Sequence, residues 1–160
     1  MSTTKQRDYG DMPKDYQLQE RLGYKLSRLS RMMQGRLEAG LARHDLTRLK
    51  WCVLSGVGIE GHDAPSDLAD HIGITRPAIS RLLKDMIKDG LLERQLVEAD
   101  GRSRKISVTP LGQEKLRACW PMVESNQDHF IRKLTSDQRT MLNDALRCLI
   151  AGESDAFEDL

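Results

Sequence analysis

The chain has 160 residues, of which 39% are hydrophobic, 31% charged and 4% aromatic, and its formal net charge is +1. This length suits one structural unit or two closely fused ones. No segment approaches the roughly 18 consecutive apolar residues of a membrane span, and the polar N-terminus lacks the apolar core of a signal peptide. We therefore expect a globular cytoplasmic protein without a membrane partner.

The three cysteines, Cys52, Cys119 and Cys148, are far apart and contain no CxxC pair. This pattern excludes a disulfide framework. We expect buried cysteines that pack as small hydrophobic residues, with a redox role as the alternative.

The N-terminal part of the chain predicts a flexible arm followed by a long helix. Residues 1–17 show no period. From Leu18 to Leu41, apolar residues recur at three- and four-residue steps, which is typical of an amphipathic helix. A helix of this length exceeds what a small lone domain needs. We therefore expect a dimerisation helix within residues 18–46, with an interface that includes Leu18, Leu22 and Leu26.

Three shorter helices are predicted next. Thr47 caps the first, over Thr47–Val57. Ser66 is expected to cap the second, Asp67–Ile72, and Thr75 the third, which ends at Gly90. Leu91–Val97 and Lys105–Thr109 then predict two strands, joined by Glu98–Arg104 around an Asp100-Gly101 turn.

Two further helices complete the pattern. Thr109-Pro110 predicts a helix start, and Pro121 is expected to kink or divide that helix. Thr135 and Gln138 form a capping box for the last helix. We assign residues 110–152 to C-terminal dimerisation helices and residues 153–160 to an acidic tail. The interface residues expected here are Leu142, Leu146 and Leu149.

The predicted fold is mainly α with a small β-hairpin wing. A winged helix-turn-helix lobe, residues 47–109, is flanked by the N- and C-terminal dimerisation helices. On its second helix, Ser80, Arg81 and Lys84 point away from the apolar face, and Arg76 lies at the N-terminal tip, where such helices contact base edges. Arg76 and Ser80 are candidates for base contacts, while Arg81 and Lys84 could contact bases or phosphates. The alternative is a solvated basic face on an ordinary helix.

The hairpin adds Arg102, Arg104 and Lys105, and a loop arginine there can enter a minor groove. Asp100 is positioned to pair with a nearby arginine and hold the loop in shape. Residues 75–105 contain eight basic and five acidic residues, whereas residues 106–160 contain six basic and nine acidic ones. A positive centre beside a negative C-terminal part suits a DNA-binding module on a partner-binding frame.

The segment Ser66–Gly112, with its wing sequence Asp100-Gly101-Arg102-Ser103, resembles the winged helix of the MarR (multiple antibiotic resistance regulator) family. The resemblance implies a homodimer that reads a pseudo-palindromic operator in double-stranded DNA. It also implies a repressor released by a small, often aromatic and anionic molecule, or by cysteine oxidation. The wing arginine of the family corresponds to Arg102. Its recognition-helix positions correspond to Thr75, Arg76, Ser80, Arg81 and Lys84.

By the same resemblance, an effector of unknown identity would bind in a crevice between the dimerisation helices and the lobe. The residues expected near it are Arg28, His44, Arg48, Trp51 and Cys52. A cationic side chain beside an indole could hold an aromatic carboxylate. The alternative for Trp51 is core packing.

Other classes of function find less support. The four histidines include no pair at three- or four-residue spacing, so no helical metal-ligand pair is predicted, and no metal or cofactor is expected. No phosphate loop, GxSxG or HExxH motif indicates an enzyme. A winged helix that serves only as a protein-interaction module, without DNA binding, remains as an alternative.

Overall fold

The computed structural model describes residues 13, 15–96 and 104–153. Its strands β1 (Leu92–Leu96) and β2 (Arg104–Val108) form an antiparallel hairpin. The helices are α1 (Leu22–Leu41), α2 (Arg48–Gly58), α3 (Pro65–Ile72), α4 (Arg76–Lys88), α5 (Pro110–Ile131) and α6 (Ser136–Ile150). This order confirms the predicted helical fold with a hairpin wing. Within the described residues, no helix is both long and apolar enough to span a bilayer.

The chain divides into two units after Met32. In the first unit, a single turn at Leu18–Glu20 precedes the start of α1. The backbone at Arg21 is extended, with φ −72° and ψ 136°, and no side chain caps the turn at Gln17. The long helix therefore begins at Leu22, and the prediction of a continuous helix from Leu18 is wrong.

The second unit holds the hydrophobic core, to which α2, α3, α4, the hairpin and α5 all contribute. Each fully buried aliphatic side chain in such a core contributes about 1.5–3 kcal/mol to folding. The most deeply buried members are Leu41, Val53, Leu54, Leu68, Ile79, Leu83, Met86, Leu92 and Cys119.

Threonine caps begin four of the helices, as the sequence predicts. Each hydroxyl oxygen accepts a hydrogen bond from a backbone N–H of the first turn, and the last helix has the complete capping box with Gln138. The four caps are Thr47, Thr75, Thr109 and Thr135.

The predicted cap at Ser66 is wrong. Helix α3 begins two residues earlier than predicted, at Pro65 rather than Asp67, with Ala64 in the N-cap position. Proline suits the first position of a helix because its fixed φ is already helical and no N–H is needed there. Ser66 therefore lies within the first turn, and its hydroxyl donates to Asp67 Oδ1 at 3.3 Å.

Pro121 does not divide α5, which runs unbroken from Pro110 to Ile131. Of the two expected outcomes, division of the helix is therefore wrong, and a kink at Pro121 stays a prediction. Buried residues on both sides of Pro121, namely Leu116, Cys119 and Asn126, hold the helix on the second unit. This packing offsets the one backbone hydrogen bond that proline removes.

The hairpin pairs Leu92 with Val108 at its base and Leu96 with Arg104 at its far end. Strand β2 ends at Val108, one residue earlier than predicted, since Thr109 caps α5. Val97, the predicted end of the first strand, lies outside the described residues. The N–H of Ile106 donates to the carbonyl oxygen of Asp63 at 2.9 Å. The segment between α2 and α3 therefore borders the wing.

Candidate nucleic-acid interface

Helix α4 has one buried and one exposed face. Ile79, Leu83 and Met86 are buried, as the sequence predicts. Their spacing follows the helical repeat and leaves the opposite face in solvent. That face carries the exposed residues Arg76, Ser80, Arg81 and Lys84, and the capping residue Thr75 stands at its N-terminal end.

The cations of this face are unpaired. Among the described residues, the side chains of Arg76, Arg81 and Lys84 form no ion pair and no hydrogen bond. An acidic residue at the end of α4, Asp89, instead pairs with Lys50 of α2. The exposed face of α4 therefore keeps its positive charge available for phosphates and base edges.

A tight turn joins α3 to α4. Gly73 ends α3 with φ +73°, and the N–H groups of Gly73 and Ile74 both donate to the carbonyl oxygen of Ala69, at 2.9 and 3.0 Å. Glycine adopts a left-handed backbone without the steric penalty that a Cβ atom brings, so Gly73 suits this position. The turn and the packing of α3 on α4 give the helix-turn-helix arrangement.

The predicted wing residues have different surroundings. Lys105 Nζ pairs with Asp63 Oδ2 at 2.6 Å, so part of its charge is already neutralised. Arg104 belongs to the last pair of the hairpin. Asp100 and Arg102 lie outside the described residues. Sequence reasoning did not foresee the role of Asp63, because no motif links it to Lys105.

The five predicted effector residues lie in different surroundings. Trp51 is 6% exposed and belongs to the core, and Cys52 is half-buried. Arg48 Nε lies 4.0 Å from Glu38 Oε1, and the backbone oxygen of His44 accepts a hydrogen bond from Lys115. Arg28 lies in the first unit and is exposed.

Other side chains line two cavities of the second unit. A cavity of about 260 Å³ contains two arginines and a buried amide, and its lining is Arg36, Ala39, Gly40, Arg43, Met122, Ser125 and Asn126. The second cavity, of about 420 Å³, has both acidic and basic side chains in its lining. The lining residues are Arg36, Pro121, Glu124, Ser125, Asp128, His129 and Arg132. Desolvation, and then the positive charges of Arg36, Lys133 and Arg132, lower the pKa of His129.

Among the described residues, only one of the two polar atoms of the Asn126 amide has a hydrogen-bond partner. Asn126 is 8% exposed, and its Nδ2 donates to the backbone oxygen of Met33 at 3.3 Å. Its Oδ1 is buried and accepts no hydrogen bond from any described residue. A buried polar atom without a partner costs free energy.

Burial affects two of the cysteines. It raises the pKa of the thiols of Cys52 and Cys119, and for Cys52 the nearby Arg48 opposes this only in part. A raised thiol pKa reduces the thiolate that oxidants attack. Cys148, on α6, is exposed.

A helix-turn-helix with an exposed cationic second helix, followed by an antiparallel hairpin, defines a winged helix-turn-helix DNA-binding protein. A model of the MarR family matches residues 44–103, which include α2, α3, α4 and β1 but not β2. Over this segment the chain is similar to the MarR family of DNA-binding transcriptional regulators.

Solved structures share the fold. Staphylococcus aureus MepR in complex with DNA has a TM-score of 0.78 and 18% identity over 84% of this chain and 98% of that one. A mutant of Escherichia coli MarR with operator DNA has a TM-score of 0.73 and 21% identity over 81% and 93% of the two chains. A MarR family protein of Mycobacterium tuberculosis with salicylic acid has a TM-score of 0.63 and 22% identity over 81% and 96%.

Proposed function

We propose that the protein is a homodimeric repressor that binds a pseudo-palindromic operator and leaves it when a small anionic effector binds. The observation that carries the proposal is the set of unpaired cations on the exposed face of α4. No acidic side chain of the described residues pairs with these three cations, while the neighbouring Asp89 pairs with Lys50. A duplex supplies the missing counter-charges.

In this proposal α4 lies in the major groove. Arg76 and Ser80 contact base edges near the N-terminus of α4, and Arg81 and Lys84 contact bases or phosphates. Arg102 enters the adjacent minor groove, with Asp100 holding the loop. Two structures with the same fold are complexes with DNA, which supports this assignment.

Exposed apolar side chains support self-association. Leu18, Leu22 and Leu26 are exposed in the first unit, and Leu142 and Leu149 are exposed on α6. A monomer rarely leaves such clusters of large apolar side chains in water, so a second copy of the chain is their expected cover. A two-fold symmetric homodimer would recognise an operator with two inverted half-sites.

We assign the effector to the cavity of about 260 Å³. Arg36 and Arg43 can hold a carboxylate by charge-assisted hydrogen bonds. A small aromatic acid supplies such a carboxylate, and one structure with the same fold is a complex with salicylic acid. This choice replaces the predicted position beside Trp51, because burial of Trp51 in the core leaves its indole little surface for a ligand.

The test is selection of bound duplexes from a random pool by the purified protein. We expect one enriched motif with two inverted half-sites, centred about 10–10.5 base pairs apart or a multiple of that spacing. The triple variant Arg76→Ala, Arg81→Ala, Lys84→Ala should enrich this motif much less than the wild type. A single half-site would refute the dimeric mode, and no enrichment by the wild type would favour a protein-interaction module.

A further inference from the structure

Three metal-ligating side chains meet where α2 ends. They are Glu60, His62 and His71, and their ligand atoms all lie within 4.8 Å of one another. Glu60 Oε1 is 3.3 Å from His71 Nε2, and the two imidazole rings have centroids 4.2 Å apart. The spacing of histidines along the sequence predicted no metal site, because it considers only ligands on one helix.

The backbone holds the first two ligands in place. The N–H of Glu60 donates to Ser55 at 3.1 Å, and the N–H of His62 donates to Gly56 at 2.9 Å. Between them Gly61 has φ +82°, a conformation that suits glycine. The segment therefore folds back over the last turn of α2.

The third ligand comes from α3. His71 lies in its last turn, and its ring packs against α2 at Gly56, where a Cβ atom would lie 3.5 Å from His71 Cδ2. A Cβ atom at position 56 would be in ordinary van der Waals contact with the ring, so the ring lies directly on this turn of α2. Three ligands from two elements meet at the surface, where a cation can enter.

We infer that Glu60, His62 and His71 form a binding site for a divalent transition-metal cation of the Zn²⁺ type. Two imidazole nitrogens and one carboxylate oxygen are ligands that this class prefers, at about 2.0–2.2 Å. The three ligand atoms, which lie within 4.8 Å of one another, would reach that distance by rotation of their side chains. A fourth position remains for water.

A bound ion would connect the end of α2 to the first helix of the helix-turn-helix. The next residues of the same loop border the wing, since Asp63 accepts from Ile106 and pairs with Lys105. Because the ligands are together only in the folded lobe, cation binding should stabilise that lobe.

The experiment is a Zn²⁺ titration of the full chain, freed of any histidine tag, against a chromogenic chelator. We expect one Zn²⁺ per chain and at least a tenfold weaker affinity for His62→Gln and for His71→Gln. The control His129→Gln, on α5, should bind like the wild type. Zn²⁺ should raise the midpoint of thermal unfolding in the wild type and the control, but not in the two variants.

The metal-free unfolding midpoint and circular dichroism of each variant show whether it is folded. If either histidine variant is unfolded, Glu60→Gln takes its place, because Glu60 is exposed and its loss should leave the core intact. In Co²⁺-loaded protein, the visible absorption of a low-symmetry site should appear in the wild type and be lost in the variants. No Zn²⁺ binding by the wild type, or equal binding by the folded variants, would overturn the inference.

Discussion

Lys50 Nζ donates a hydrogen bond to Asp89 Oδ2 at 2.6 Å and so joins α2 to the residue that ends α4. This hydrogen bond, and then the charge of Lys50, lower the pKa of Asp89 below its ordinary value of 3.8. The Thr75 hydroxyl holds the other end of α4. The helix that carries the DNA-binding candidates is therefore fixed at both ends.

The first prediction concerns this pair. Asp89→Asn should lower the urea midpoint of unfolding at pH 7, because Lys50 loses its partner. The pKa of Asp89 is lower in the folded state than its ordinary value. The stability that this ion pair adds is therefore fully present at pH values above the ordinary pKa, and it is lost as the pH falls through the pKa of the folded state. The difference between wild type and variant should thus shrink below about pH 4. Equal midpoints at pH 7 would show that the contact adds no stability.

The second prediction concerns Arg76. Its replacement by Ala should cost roughly 1–3 kcal/mol of operator affinity, concentrated at particular base pairs. Fluorescence anisotropy on the selected operator and on its single-base variants measures this. Arg117→Ala, an exposed arginine on α5, is the control. An equal loss on random DNA would reassign Arg76 to phosphate contact.

The third prediction concerns the wing. Arg102→Ala should weaken operator binding and leave the fold and the dimer unchanged, because the side chain is expected to contact only DNA. Gel-shift titration measures the affinity, and circular dichroism with light scattering checks the rest. Unchanged affinity would count against the wing as a reader of DNA.

The fourth prediction concerns Gly112, which is buried where α5 meets the hairpin. A methyl group there would collide with the backbone oxygen of Leu91 and lie 2.6 Å from Val108 Cγ1. Gly112→Ala should therefore destabilise the protein by about 1–3 kcal/mol.

Gly35→Ala is the matched control for this substitution. Position 35 lies within α1 with open space around it, so alanine should stabilise the helix by about 0.8–1.0 kcal/mol. Urea unfolding measures both changes. A Gly112→Ala variant as stable as the wild type would contradict the close approach.

The fifth prediction concerns assembly. Leu22→Glu and Leu146→Glu should each give monomers or aggregates, because a charge would be buried between two chains. Ile59→Glu, which changes an exposed apolar residue outside the predicted dimerisation helices, should leave the dimer intact. Light scattering gives the mass. Dimers from both leucine variants would refute the proposed interface.

Local features of the fold could be predicted from the sequence. The threonine caps and the buried face of α4 each depend on a few neighbouring residues, so the pattern contains the necessary information. The cap was predicted at Ser66, but Pro65 also favours the first position of a helix, and α3 begins there. The break at Arg21 had no clear local signal.

Contacts between distant parts of the chain could not be predicted. Lys50 meets Asp89 across 39 positions, and Glu60 meets His71 only because α3 packs on α2 at Gly56. The sequence left open whether Trp51 lines a crevice or packs in the core, for a related reason. Whether an indole faces a crevice or the core depends on which helices cover it, and periodicity alone does not specify that.

The most direct test measures operator affinity from 50 to 200 mM salt, for the wild type and for the triple variant of Arg76, Arg81 and Lys84. If α4 neutralises phosphates, the logarithm of the association constant should fall linearly with the logarithm of salt concentration, by about 0.9 per phosphate contact. The triple variant should bind more weakly and with a shallower slope. A wild-type protein that binds no duplex at the lowest salt, or whose affinity does not change with salt, would contradict DNA binding through α4.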